Sequence, residues 1–125
     1  MTTARKGLGA AGERLARRHL ERQGYQILAA NVRYAGLGEL DLVAREAGCL
    51  VFVEVRTRRG DGFGSPEDSL SDGKRARLAA LAAAWLEEHG DETSPWRVDL
   101  VAVEMDTRGK VVRTEIVRDA VEDSS

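Results

Sequence analysis

The chain has 125 residues, of which 42% are hydrophobic and 32% charged, and its formal net charge is -2. This length and composition fit one globular domain with a core of its own. They exclude a protein that is basic overall, and no apolar run approaches the roughly 20 residues of a membrane-spanning helix.

The near-neutral total hides a polarity. Residues 1–33 carry Arg5, Lys6, Arg14, Arg17, Arg18, Arg22 and Arg33 against only Glu13 and Glu21. Shorter basic runs follow at Arg56, Arg58 and Arg59 and at Lys74, Arg75 and Arg77. Such blocks can make a basic face on a neutral protein, and equally they can be ordinary solvated helix faces. The single cysteine, Cys49, permits no internal disulfide and no Cys/His zinc spacing, and is expected as a buried, inert thiol. Arg5 and Lys6 are not followed by a continuous apolar segment, so no signal peptide is visible and a cytoplasmic location is expected.

In chain order, apolar residues at Leu8, Ala11, Leu15, Ala16 and Leu20 predict a first helix from about Leu8 to Gln23, closed by Gly24. Tyr25 to Arg33 reads as a strand. Gly36 and Gly38 mark a turn, and Glu39 to Arg45 alternates. That alternation puts Leu40, Leu42 and Ala44 on one face and Glu39, Asp41 and Val43 on the other. Ala47-Gly48 is a tight connection to a strongly β-prone strand, Cys49 to Arg56, and the two strands predict an antiparallel hairpin. No element fits residues 57–70, expected as a functional or mobile loop. Ser71 is a plausible N-cap for a helix to about His89, with Gly90 beyond it and alanines from Ala79 to Ala84 for close packing. Strands follow at Trp96–Glu104 and Lys110–Arg118, and a disordered tail is expected from Ala120. The predicted fold class is α/β, a mixed sheet flanked by helices in the order α-β-β-β-α-β-β, as one domain over 1–125 and ordered over about 8–118.

Acidic residues are depleted in strands, and burying a lone carboxylate is costly. Asp41 and Glu54 both stand on half-apolar strands. With Ala47-Gly48 as the turn, the strict opposite of Asp41 is Glu54. Like charges so placed destabilise a sheet unless something lies between them, and a Mg²⁺ or Mn²⁺ ion with its preference for oxygen ligands would do so. The alternative is that the acids pair with Arg33 and Arg56 or face solvent. Glu39 is a weaker candidate, one pair further from the turn. Glu13 falls at the margin of the first helix's apolar arc, where it can look into a cleft beside the sheet or remain on the surface. His19, Trp85 and Trp96 are expected as packing residues, and His89 as a helix-end residue beside the negative end of the dipole.

Gly12-Glu13 with Ala16, Gly38-Glu39-Leu40-Asp41-Leu42-Val43 and Phe52-Val53-Glu54-Val55-Arg56-Thr57-Arg58 together resemble the YraN-like family of uncharacterised bacterial proteins. The loop Phe63-Gly64-Ser65-Pro66, Lys74 and the strand Arg97-Val98-Asp99-Leu100-Val101 fit the same family, so the resemblance spans about Leu8 to Val117. The family looks like the restriction-endonuclease-like PD-(D/E)xK fold, similar to archaeal Holliday-junction resolvases. The resemblance implies a site in which Asp41, Glu54 and the Val55 carbonyl bind Mg²⁺ (or Mn²⁺), completed by Glu13. It also implies nucleic acid as partner, DNA favoured over RNA, and by analogy with the resolvases a homodimer. Arg56 stands where the pattern has lysine. Arginine is effectively always protonated and is a poor proton acceptor, but it can stabilise charge on phosphate. Two readings follow. The first is a metal-dependent endonuclease with Asp41, Glu54, Arg56 and Glu13 as catalytic residues and Arg58, Arg59, Lys74 and Arg75 on the nucleic-acid backbone. The second is a nucleic-acid-binding or protein-interaction module that kept the fold without turnover.

Overall fold

In the computed structural model the chain forms α1 (Thr3–Arg22), β1 (Gln26–Tyr34), β2 (Gly38–Glu46), β3 (Cys49–Arg59), α2 (Asp72–His89), β4 (Trp96–Met105) and β5 (Val111–Val117). The structure describes residues 3–60, 70–91 and 93–121, and of residues 3–8 the backbone only. The strands make one sheet in chain order, β1-β2-β3-β4-β5. Only β3 and β4 run parallel, and α2 lies in the crossover that a parallel pair requires. The α/β class and the order α-β-β-β-α-β-β are those expected from the sequence.

The local signals are used as their chemistry predicts. Ala47 and Gly48 take left-handed backbone conformations, φ 51° and 79°, which a two-residue hairpin turn of the primed type needs. At the start of α2 the Ser71 hydroxyl accepts from the Lys74 N–H at 3.3 Å. At its end Gly90 turns left-handed, φ 68°, and the Asp91 N–H returns to the Leu86 carbonyl at 2.9 Å. Leu78, Leu81, Ala82, Trp85 and Leu86 form the buried stripe of α2 at helical spacing.

Each helix covers one face of the sheet. Against α2 pack Val43, Leu50, Phe52, Val98 and Leu100. Against α1, whose Ala16 and Leu20 are fully buried, pack Ala44, Val51, Val53, Val101 and Val103. The expected grouping of Leu40 with Leu42 and Ala44 is overturned. Leu40 belongs to the α2-side core while Leu42 and Ala44 belong to the α1 side.

Further expectations are corrected. α1 begins at Thr3 rather than near Leu8, because Ala4, Arg5 and Lys6 are good helix formers without an apolar face to announce them. β3 continues to Arg59, because Thr57, Arg58 and Arg59 are laddered to Val103, Glu104 and Met105 of β4. The expected loop therefore loses 57–59 to a strand, and its residues 61–69, with Phe63-Gly64-Ser65-Pro66, lie outside the described residues. The tail does not come loose at Ala120. That residue is buried, its N–H donates to the Val98 carbonyl at 2.7 Å, and its own carbonyl accepts from Arg75 Nη1 at 2.9 Å. Among the aromatics Trp85 is core as expected, and Trp96, the first residue of β4, packs edge-on against Phe52 as expected while staying partly exposed, whereas His19 is only half-buried. Cys49 is half-buried rather than buried.

A polar cluster closes one part of the fold. Asp99 is completely buried, and both its oxygens are filled. Oδ2 accepts from Tyr25 Oη at 2.8 Å and Oδ1 from Arg97 Nε at 2.9 Å and the Asp119 N–H at 2.9 Å. Arg97 and Arg118 converge in turn on Glu46 Oε1 at 2.8 and 2.9 Å. Burial first, and then the bond to the Asp99 carboxylate, push the Tyr25 hydroxyl up to about 12.

α1 comes close against β3 at Gly12. A Cβ there would collide with Thr57 Oγ1 and sit 2.9 Å from Thr57 Cβ. Gly12→Ala is therefore expected to destabilise the protein by about 1–3 kcal/mol, as overpacking does. Urea unfolding of Gly12→Ala beside Gly12→Ala/Thr57→Gly checks it, since removing the obstructing side chain should restore most of the lost stability.

Candidate functional site

The β2–β3 ladder runs from Glu46↔Cys49 to Leu42↔Val53, which is the register expected from the Ala47-Gly48 turn. Its next step would set Asp41 opposite Glu54. The ladder ends before that step. The Asp41 carboxylate enters the gap instead, and Oδ2 accepts the Val55 N–H at 2.8 Å. A side chain thus takes the place of the next backbone partner. In an antiparallel pair a residue's N–H and C=O face the same neighbour, so the Val55 carbonyl looks into the same fork.

The reason Asp41 points sideways lies in β1 as well as β2. In the β1–β2 ladder Ala30 pairs with Leu42 and Val32 with Leu40, which places Asn31 opposite Asp41. Ala30 and Leu42 pack on the α1 side, Val32 and Leu40 on the α2 side. Both strands therefore exchange faces at this one step. Asn31 absorbs the exchange with a left-handed backbone, φ 54°, which asparagine tolerates better than most residues. Its side chain also stands beside the Glu13 carboxylate of α1 and favours its charged form. Alternation alone could not show this break, because it is the break in alternation that builds the site.

The structure thus brings Asp41, Glu54, Val55 and Glu13 to one region. Burial first, and then the charge of Glu54, push the Asp41 carboxyl up to about 8, while the Val55 N–H pulls the other way. Burial and the Asp41 charge also raise Glu13. Among the described residues no three His, Cys, Asp or Glu side chains form a ready ligand cage. Two carboxylates and a strand carbonyl nevertheless make an oxygen donor set suited to a hard divalent cation. Arg56 Nη2 is 3.0 Å from Glu54 Oε2, and Arg56 Nε is buried with no partner among the described residues. Glu39 pairs with Arg33 at 3.2 Å.

The expected backbone-binding cations are placed differently. Arg59 is tied to the Thr107 carbonyl at 2.8 and 3.2 Å, and Arg75 to the carbonyls of Leu70 and Ala120. Arg58 stands in register with Glu104, and both it and Lys74 are engaged with neighbours. None of the four lines the cleft of about 510 Å³ that opens beside the fork between α1 and the β1–β2 hairpin. Glu13, Arg14, Arg17, Asn31, Glu39 and Leu42 line it.

The model of the family described as Uncharacterised protein family UPF0102 matches residues 12–103. The chain belongs to that family. A UPF0102 protein of Roseiflexus castenholzii is 48% identical over 125 residues, 99% of this chain and 100% of the relative. A UPF0102 protein of Symbiobacterium thermophilum is 43% identical over 113 residues, 90% of this chain and 94% of the relative. The span matched by the UPF0102 family model contains Glu13, Asn31, Asp41, Glu54 and Arg56.

An acid with a higher pKa folded than unfolded binds its proton more tightly in the folded state. Its contribution to stability is then lost as pH rises between the unfolded value, about 4, and the folded one. With Asp41 near 8, metal-free protein is expected to weaken over that window. Asp41→Asn, which can still accept from Val55, should gain on the wild type by at least about 1.4 kcal/mol between about pH 5 and about pH 8.5. Urea midpoints in chelator at both pH values check this. A constant gap would contradict it.

Proposed function

We propose that the chain is a metal-dependent nuclease-like protein that binds nucleic acid and hydrolyses phosphodiester bonds at the Asp41–Glu54 fork. The observation that carries this reading is the fork itself. Two carboxylates are held together where the β2–β3 ladder stops, one fixed by a backbone N–H and destabilised as an anion by burial and by the other. A divalent cation between them would relieve that destabilisation. The α/β arrangement is consistent with the restriction-endonuclease-like fold implied by the sequence motifs.

Asp41, Glu54 and the Val55 carbonyl would hold Mg²⁺ or Mn²⁺, with Glu13 beside them. Such an ion polarises a phosphate and makes water a better nucleophile at neutral pH. The chain's own residues supply the rest. The Val55 N–H keeps the Asp41 carboxylate turned into the fork. Glu54 holds the Arg56 guanidinium, which can stabilise charge building on phosphate but cannot serve as a base. Asn31 stands beside Glu13 at the cleft wall and favours its charged form.

Arg56 also favours a second reading, a nucleic-acid-binding module without turnover. Its guanidinium already spends one arm on Glu54, so the fork carries an internal cation where a lysine would be free to work.

Calorimetric titration with Mn²⁺ is expected to give about one ion per chain, lost in Asp41→Ala and Glu54→Ala, and Mn²⁺ should raise the melting temperature of the wild type only. Cleavage of branched and linear DNA and RNA then separates the two readings. Silence toward Mn²⁺ both with and without DNA would remove the nuclease reading. Arg56→Lys is expected to fold with a melting temperature near that of the wild type and to raise any cleavage rate. An unchanged or lower rate at equal stability would count against the role given to this position.

A further inference from the structure

The arginines of this chain divide into two populations. Most of those on the strands or just past them are occupied: Arg33 pairs with Glu39, Arg56 with Glu54, Arg97 with Asp99 and Glu46, Arg113 with Glu104 and Glu115, and Arg118, one residue after β5, with Glu46, while Arg45 on β2 has no side-chain partner among the described residues. Arg59 and Arg75 are spent on carbonyls. On α1 the pattern reverses. Arg14, Arg17, Arg18 and Arg22 are exposed, and among the described residues none makes an ion pair or hydrogen bond. Glu21 stands four residues after Arg17 and three after Arg18, a spacing that allows a pair, yet neither pairs with it.

Two of these unpaired cations sit at a particular place. Arg14 and Arg17 line the cleft of about 510 Å³ together with Glu13, the residue before Arg14, which lies close enough to Asp41 to feel its charge. At i and i+3 their Cβ atoms stand about 5–6 Å apart on one helix face, so two planar guanidinium forks can converge on one phosphate. Gly9 and Ala10 line the cleft one turn earlier and leave it without large side chains on that wall.

We propose that Arg14 and Arg17 are the phosphate grip of this cleft, holding a polynucleotide backbone beside the Asp41–Glu54 fork. This rests on the nucleic-acid reading given above and moves the binding surface from Arg58, Arg59, Lys74 and Arg75 to α1. Arg18 and Arg22 extend the same cationic stripe toward the helix C-terminus. The acidic lining gives the cleft its selectivity. Glu13 and Glu39 repel a phosphate from the inner wall and confine it to the arginine side, so the backbone passes along the cleft rather than filling it.

The test compares the full-length wild type, Arg14→Gln/Arg17→Gln, and a control of equal charge change on β2 and the β4–β5 turn, Arg45→Gln/Arg108→Gln. Binding of a fluorescein-labelled DNA oligonucleotide, single-stranded and duplex, is followed by anisotropy across a salt series in chelator and in Mn²⁺. Mn²⁺ affinity of each protein is measured separately by calorimetry. The expected result is a loss of about tenfold or more for the α1 variant, with the slope of log affinity against log salt shallower by about two. The control should lose about twofold or less, and Mn²⁺ binding should be the same in all three. Arg14→Lys/Arg17→Lys should recover the salt slope. Equal losses in the α1 variant and the control overturn the grip while leaving the nucleic-acid reading intact. Equal retention of a polyglutamate competitor assigns the stripe to acidic polymers in general and overturns it too. Absence of DNA binding by the wild type under every condition, with Mn²⁺ still bound, removes the nucleic-acid reading and this inference with it.

Discussion

The hydrogen bond from the Val55 N–H to the Asp41 carboxylate decides how the middle of this sheet is built. A strand N–H that loses its ladder partner must find another or carry a desolvation penalty of about 1–3 kcal/mol. By accepting that donor, Asp41 lets β2 and β3 separate after Leu42↔Val53 without leaving a buried orphan. The separation opens room between the strands for the carboxylates and for the Val55 carbonyl. The local structure and the candidate chemistry are therefore one arrangement, because the residue that caps the ladder is the residue that would hold the ion.

That arrangement needs support from three other elements. β1 has to change faces in step with β2, and Asn31 makes this possible with its left-handed backbone. α1 has to lie low enough for Glu13 to reach Asn31, and Gly12 against Thr57 sets that height. β3 has to stay straight while β2 departs, and its parallel ladder with β4 runs unbroken from Leu50 to Arg59. The polar cluster around Asp99 provides the contrast. There every acceptor oxygen of a fully buried carboxylate has a donor, and two arginines neutralise the neighbouring Glu46. Asp99 is satisfied within the chain, whereas Asp41 shares its surroundings with like charges. A satisfied carboxylate suits a structural role, and an unsatisfied pair suits a ligand.

The elements most legible in the sequence were those governed by local rules. The Ala47-Gly48 turn, the Ser71 and Gly90 caps and the β-prone run from Cys49 all act within a few residues of themselves. The turn also fixed the hairpin register from Glu46↔Cys49 to Leu42↔Val53, but the direct pairing of Asp41 with Glu54 expected one step further does not form, because the ladder ends and the Asp41 side chain takes the Val55 N–H. Features set by partners distant in the chain were hidden. The extension of β3 to Arg59 depends on β4, and the anchoring of Ala120 depends on Val98 and Arg75. The face exchange at Asn31 and Asp41 was hidden for a different reason. A period-two reading assumes that the strand does not roll, and Leu40 and Leu42 are both leucine, so nothing in their chemistry marks the opposite faces they occupy.

Charge shows the same division between local and distant causes. A run such as Arg58-Arg59 or Lys74-Arg75 looks like a binding patch because sequence displays cations without their partners. In the fold Arg59 and Arg75 stitch turns and the C-terminal segment through backbone carbonyls. An arginine so used has already given up its freedom and its hydration to the protein, and little of its charge is left to release counterions from a phosphate backbone. Helical arginines at Arg14, Arg17, Arg18 and Arg22 are not drawn into any such stitch among the described residues. What ties Arg59 and Arg75 down is thus a backbone carbonyl left open at a turn or helix start, whereas the carbonyls along the middle of α1 are bonded within the helix.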